Sequence, residues 1–120
     1  MPNFSTRDER DVVVLSLDGP TELNDYRSST FRDELFRALQ PLEAPRIAVD
    51  LGAIDYLSST GVAILVGLKR RVDQKQGRVV LFRLQPPVRD LLQCMKLHSY
   101  FTLADDEQGA LATLRPLPTA

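Results

Sequence analysis

Three hydroxyl side chains stand in a row at Ser58, Ser59 and Thr60, and Gly61 with the apolar positions Val62, Leu65, Val66 and Val72 follows at helical spacing. Small hydroxyl residues just ahead of an apolar-periodic stretch are helix N-cap residues, because an oxygen there accepts from the unpaired amides of the first turn. A hydroxyl with that task sits at the surface, within reach of a modifying enzyme. Phosphate on it adds about −1.5 to −2 charges. A helix N-terminus tolerates that charge, whereas an apolar partner surface does not. The triplet therefore fits two roles, a plain cap or a covalent switch that alters binding and leaves the fold intact.

The other groups with chemical potential are isolated. Cys94 and His98 are the only cysteine and histidine, which excludes an internal disulfide and argues against a closed zinc site. Nothing beside His98 in sequence makes it a catalytic base, and Cys94, on the apolar side of its segment, reads as a small core residue. The carboxylates Asp50, Asp55, Asp105 and Asp106 show no spacing that requires a shared site, and the six glycines form neither a phosphate loop nor a dinucleotide fingerprint. Lys69, Arg70 and Arg71 fall late in a predicted helix, where cations suit the dipole. With 15 basic and 16 acidic residues, net charge −1, no field steers the chain to nucleic acid or anionic membrane. The expectation is a binding protein, with no enzymatic activity, no cofactor and no metal.

These residues need elements to carry them. A chain of 120 residues, 43% apolar, builds one modest core and has no room for a second domain. Val12–Leu17, Ile47–Leu51 and Val79–Leu84 read as buried strands, a short strand around Phe4 can pair with the first, and Tyr100–Leu103 can form a last one. Helices are expected from Ser29 to Leu39, from the hydroxyl triplet to near Gly77, from Pro86 through Met95, and from Asp105 and Asp106 onward. Strands alternating with helices imply an α/β domain over 1–114, with a mixed, largely parallel sheet of about four to five strands and about four helices. Val14, Val49, Leu51, Val80 and Leu81 are expected inside, with Val62, Leu65 and Val66 covering them. The tail 115–120, with Pro116 and Pro118, is expected to fray. Met1–Arg10 lacks an apolar core of a signal sequence, and no run reaches the roughly 18 apolar residues of a membrane span. A soluble, cytoplasmic protein is expected.

The segment from Arg46 to Lys75, RIAVDLGAIDYLSSTGVAILVGLKRRVDQK, resembles the central unit of STAS domains, a strand, a serine-bearing loop and a helix with glycine at its start. The strand VVLF, the segment PPVRDLLQCMKL and the ending YFTLADDEQGAL follow in the family's order. The chain is most similar to bacterial anti-sigma factor antagonists, whose Asp-Ser-Ser/Thr-Gly motif holds a regulatory serine. Aligned on Gly61, the resemblance places Ser59 at the phosphorylated position, with Ser58 as the alternative, and Thr60 at the second hydroxyl. Ser58 stands where aspartate is common, a departure shared with the Ile/Leu-Ser-Ser-x-Gly version of the broader family. The family's other acidic position falls at Asn24, with Asp25 adjacent. Asn24, Asp25, Ser58, Thr60 and Gly61 would then form the switch loop around Ser59.

What the resemblance implies is a monomer or weak dimer that binds a cognate anti-sigma factor with serine kinase activity. Phosphorylation would switch it off, and a PP2C-type phosphatase would restore it. The alternative is a non-switching STAS scaffold subunit of a larger complex, stressosome-like or part of a lipid-transport ATPase. Partner contacts are expected from a second stripe, Ile64, Gly67, Leu68 and Arg71, taken to face away from the core, so that Leu68→Glu should impair binding and spare stability.

Overall fold

The computed structural model describes residues 4–9, 12–17, 22–23, 33, 36–37, 39–41, 43–54, 56–57 and 59–114. Its strands are β1 (Phe4–Glu9), β2 (Val12–Leu17), β3 (Glu22–Leu23), β4 (Arg46–Asp50), β5 (Tyr56–Leu57), β6 (Arg78–Phe82) and β7 (Thr102–Ala104). Its helices among the described residues are α1 (Ser59–Gln74), α2 (Pro86–Cys94) and α3 (Glu107–Leu114). Asp33, Phe36, Arg37 and Leu39 also carry helical backbone, in the stretch where the first helix was expected.

β1, β2, β4, β6 and β7 form one sheet in that order. The β1–β2 pair is antiparallel and the other three pairs are parallel, so the sheet is mixed and largely parallel, as the alternation of elements required. Its central strands read as unbroken apolar runs because both faces are covered. Ile47, Val49, Val79 and Leu81 point to a core shared with Leu65, Leu68, Val72, Val88 and Leu92 of α1 and α2. Ala48, Val80 and Phe82 alternate to the opposite face, where Ala110, Leu111 and Leu114 of α3 close a second cluster over Val12 and Val14. The five strand positions expected inside are all buried.

Each helix ends or starts for an identifiable reason. Asp106 Oδ1 accepts from Gly109 N at 2.8 Å, capping α3. Pro86 and Pro87 occupy the first turn of α2, where missing amide hydrogens cost little. α1 closes with a paired C-terminal motif in which Gly77 N donates to Val72 O at 2.8 Å and Gln76 N to Asp73 O at 2.9 Å. The left-handed residue is Gln76, with φ 63, and not the glycine. Gly77 is needed for space, since a Cβ there would lie 2.1 Å from the Pro45 carbonyl oxygen, which itself accepts from Arg78 N at 2.9 Å.

Gly77→Ala must therefore displace backbone on both sides of the β4–β6 pair. A loss of about 1–3 kcal/mol is expected from such overpacking, read as a lower urea midpoint with an unchanged m-value.

Candidate functional site

The serine segment hangs between β4 and α1 on a short, heavily braced connection. Leu51 and Ile54 are both fully buried and plug the turn from inside. Ile54 N donates to Leu51 O at 3.0 Å, and Leu51 N to Phe82 O at 3.0 Å. From outside, Gly52 N donates to Asp50 Oδ1 at 2.8 Å and Gln85 Nε2 to Gly52 O at 2.7 Å. Arg83, at φ 58, sets Nη1 3.4 Å from Asp50 Oδ2. Gln85 thus precedes α2 without capping it, its side chain spent on holding the turn.

Beyond the turn, β5 pairs in parallel with β3, with Glu22 opposite Tyr56 and Leu23 opposite Leu57. The two strands end side by side, each one residue ahead of a predicted switch position, Asn24 on one chain segment and Ser58 on the other. Asn24, Asp25 and Ser58 themselves lie outside the described residues. Helical backbone starts at Ser59 and includes Thr60 and Gly61, and no acidic residue occupies the first turn. Added negative charge there would meet the positive end of the helix dipole, with no first-turn carboxylate to repel it.

The expected outward stripe of α1 requires correction. Ile64 and Leu68 are 3% and 0% exposed and belong to the main core with Leu65 and Val72. At ~100° per residue, these four positions fill one contiguous arc, which both the sheet and Leu39 of the preceding helical segment cover. Val66, expected to cover the sheet, is only partly buried at the edge of that arc. The exposed side instead carries Ala63, Arg70, Arg71 and Gln74, with Gly67 half-buried among them. Of the four residues expected to meet a partner, Gly67 and Arg71 remain on the surface.

The three consecutive cations diverge. Lys69 Nζ pairs with Asp73 Oδ2 at 2.7 Å and lies 4.8 Å from the centre of the Tyr100 ring. Arg71 stacks at 4.2 Å on Phe36, while Arg70 projects into solvent. Cys94, expected in the core, is exposed, because α2 buries only Val88 and Leu92, one turn apart. His98 is exposed at the surface. Asp50 braces the turn, Asp105 lies 3.6 Å from Arg89 and Asp106 caps α3, so these carboxylates serve separate tasks; Asp55 is outside the described residues. Among the described residues no helix is long and apolar enough to cross a membrane.

Comparison with known proteins gives this geometry its context. Residues 3–110 match the family model of the STAS domain. The anti-sigma F factor antagonist of Paenibacillus polymyxa is 28% identical over 105 residues, spanning 88% of this chain and 88% of that protein. An anti-sigma-factor antagonist (STAS) domain protein from Planctomyces limnophilus is similar in structure, with TM-score 0.83 and 19% identity over 96% of this chain and 99% of that one. The anti-sigma factor antagonist SpoIIAA in its unphosphorylated form gives TM-score 0.77 at 24% identity, covering 97% and 99%. The Bacillus cell fate determinant SpoIIAA in its phosphorylated form gives 0.68 at 24%, covering 93% and 99%.

The corrected facing of α1 makes Leu68→Glu a core lesion. An unpaired carboxylate at a fully buried position costs several kcal/mol, a large part of the ~5–15 kcal/mol that holds a domain of this size together. Thermal melts by circular dichroism should show Leu68→Glu largely unfolded, whereas the exposed Arg70→Glu should stay within about 0.5 kcal/mol of the parent.

Proposed function

The chain belongs to the STAS domain family, and from that premise we propose that it is an anti-sigma factor antagonist whose binding is switched off by phosphate on Ser59. The observation that carries the reading is the start of α1 at Ser59, directly after a strand whose partner ends one residue before Asn24. In this reading Asn24, Asp25, Ser58, Thr60 and Gly61 surround the modified hydroxyl, and the unmodified loop meets a cognate anti-sigma factor. That partner is itself the serine kinase. A PP2C-type phosphatase removes the phosphate, and nucleotide belongs to the kinase, not to this chain. The relation to named antagonists supports the assignment, as does a first helical turn free of acidic side chains, into which a phosphate can be placed without melting the helix.

The mechanism is a change of surface and not of fold. The turn feeding the loop is locked by Leu51, Ile54 and Gln85, so charge added at Ser59 acts where it stands. A phosphate of about −1.5 to −2 charges with three acceptor oxygens must be desolvated for the partner to remain in contact, and the complex weakens.

Incubation with the cognate kinase and ATP should place one phosphate on Ser59 by mass spectrometry and none on Ser59→Ala. Ser59→Ala should bind the anti-sigma factor constitutively. Ser59→Asp should bind about tenfold or more weakly, since each 1.4 kcal/mol is a decade in affinity and a carboxylate carries less charge than phosphate. Modification of Ser58 would move the switch by one position. No modification, with both Ser59 variants binding like wild type, would replace the switch by the constitutive scaffold.

A further inference from the structure

The exposed side of α1 is shaped in a way that the serine switch does not use. A groove of about 390 Å³ runs along it, floored by Ala63 and Gly67 and edged by Phe36, Arg70, Arg71 and Gln74. It adjoins a second hollow of about 440 Å³ between α1 and the helical residues around Phe36 and Leu39. The Phe36 ring is fixed from two sides. A Cβ on Gly67 would come 3.3 Å from Phe36 Cζ, so only glycine lets the ring approach the helix unhindered, and the Arg71 guanidinium stacks 4.2 Å from the ring centre.

Charge is segregated there. Among the described residues, the two hollows together are lined by four cations, Arg37, Arg70, Arg71 and Lys75, against one carboxylate, Asp33, in a chain whose net charge is −1. Lys75 Nζ is engaged, donating to Gln40 O at 2.6 Å. Arg70 and Arg71 are not: neither guanidinium has a hydrogen bond or ion pair to a described residue. Arg71 is thus held in place by stacking while its N–H fork stays open, which lowers the ordering cost of recognising a carboxylate.

We propose that this groove docks an acidic helical segment of the protein partner, packed over Ala63 beside the Phe36 ring, with its carboxylates meeting Arg70 and Arg71. The small, exposed side chain of Ala63 admits a close helix-to-helix approach, and the charge pattern selects an acidic occupant over a neutral or basic one. Nucleic acid is disfavoured because the aromatic ring is already taken between Gly67 and Arg71 and offers no open face to a base, and because the basic surface is too short to track a phosphate backbone. The identity of the partner rests on the antagonist reading, whereas the chemistry of the groove does not.

A fluorescein-labelled helical peptide of alanine, leucine and glutamate, about 18 residues long so that it holds a helix, serves as the probe for anisotropy titration and amide chemical-shift mapping. Wild type should bind it with shifts concentrated at Ala63, Gly67, Arg70 and Gln74. Arg70→Glu/Arg71→Glu should lose at least about tenfold in affinity, with the single Arg70→Glu variant as a control for folding, and a lysine counterpart of the peptide should not bind. Absence of binding, unchanged affinity in both arginine variants, shifts mapping elsewhere, or more effective competition by a duplex oligonucleotide would each overturn the proposal. Ser59→Asp should leave peptide affinity unchanged. Loss of the Ser59 phenotype with the peptide result intact would remove the switch alone, and the reverse would remove the groove alone.

Discussion

The structure depends on how α1 is seated. Ile64, Leu65, Leu68 and Val72 press into the same core as Ile47 and Val49 of β4 and Leu81 of β6, and each such side chain contributes about 1.5–3 kcal/mol on burial. Once that arc is committed to the sheet, the rest of the helix has no freedom. Its start must lie at the carboxyl ends of the parallel strands, because a crossover returns along the sheet from there. Its opposite side, with Ala63, Gly67 and Arg70, must face outward. In open α/β sheets that carboxyl edge is where ligands are generally met, and here it is where α1 begins, at Ser59.

This seating separates three tasks on one helix. In the proposed reading the buried arc holds the fold, the first turn carries Ser59 for modification, and the exposed line is the surface for recognition. The turn after β4 is braced from both sides. Leu51 and Ile54 anchor it in the core, and the contacts from Asp50, Arg83 and Gln85 tie it to the strand and helix that follow. The opposite face of the sheet, closed by α3 through Ala110, Leu111 and Leu114, is remote from all three.

The long elements were legible in the sequence, because Val12–Leu17, Ile47–Leu51 and Val79–Leu84 are apolar runs interrupted only near their ends, by Ser16, Asp50 and Arg83, and the helices between them show their period. β3 and β5 were not, since two residues cannot display a period of two. Yet their pairing sets Leu23 beside Leu57, the residues just ahead of the predicted positions Asn24 and Ser58. The facing of α1 was misjudged for a definite reason. Val62, Ile64, Leu65, Val66, Leu68 and Val72 extend around more than half the helix, and composition alone does not say where the centre of that arc lies. Only the covering by Leu39 and the sheet decides it. Cys94 failed in the same way, as a nine-residue helix that buries just Val88 and Leu92 leaves its end outside. Phe36 against Gly67 was invisible because nothing local links a ring to a glycine thirty-one positions away.

The contact between Gly77 and the Pro45 carbonyl turns α1 into a ruler. With 16 residues it spans about 24 Å, pinned at its lower end against the entrance to β4 and delivering Ser59 at the upper end. Length and phase are then both quantised. An insertion of one residue would rotate everything beyond it by ~100° and turn core side chains into solvent. One of a full turn would restore the facing but raise the start of the helix at Ser59 by about 5.4 Å. The length of α1 thus sets the height of Ser59 above the Gly77–Pro45 contact.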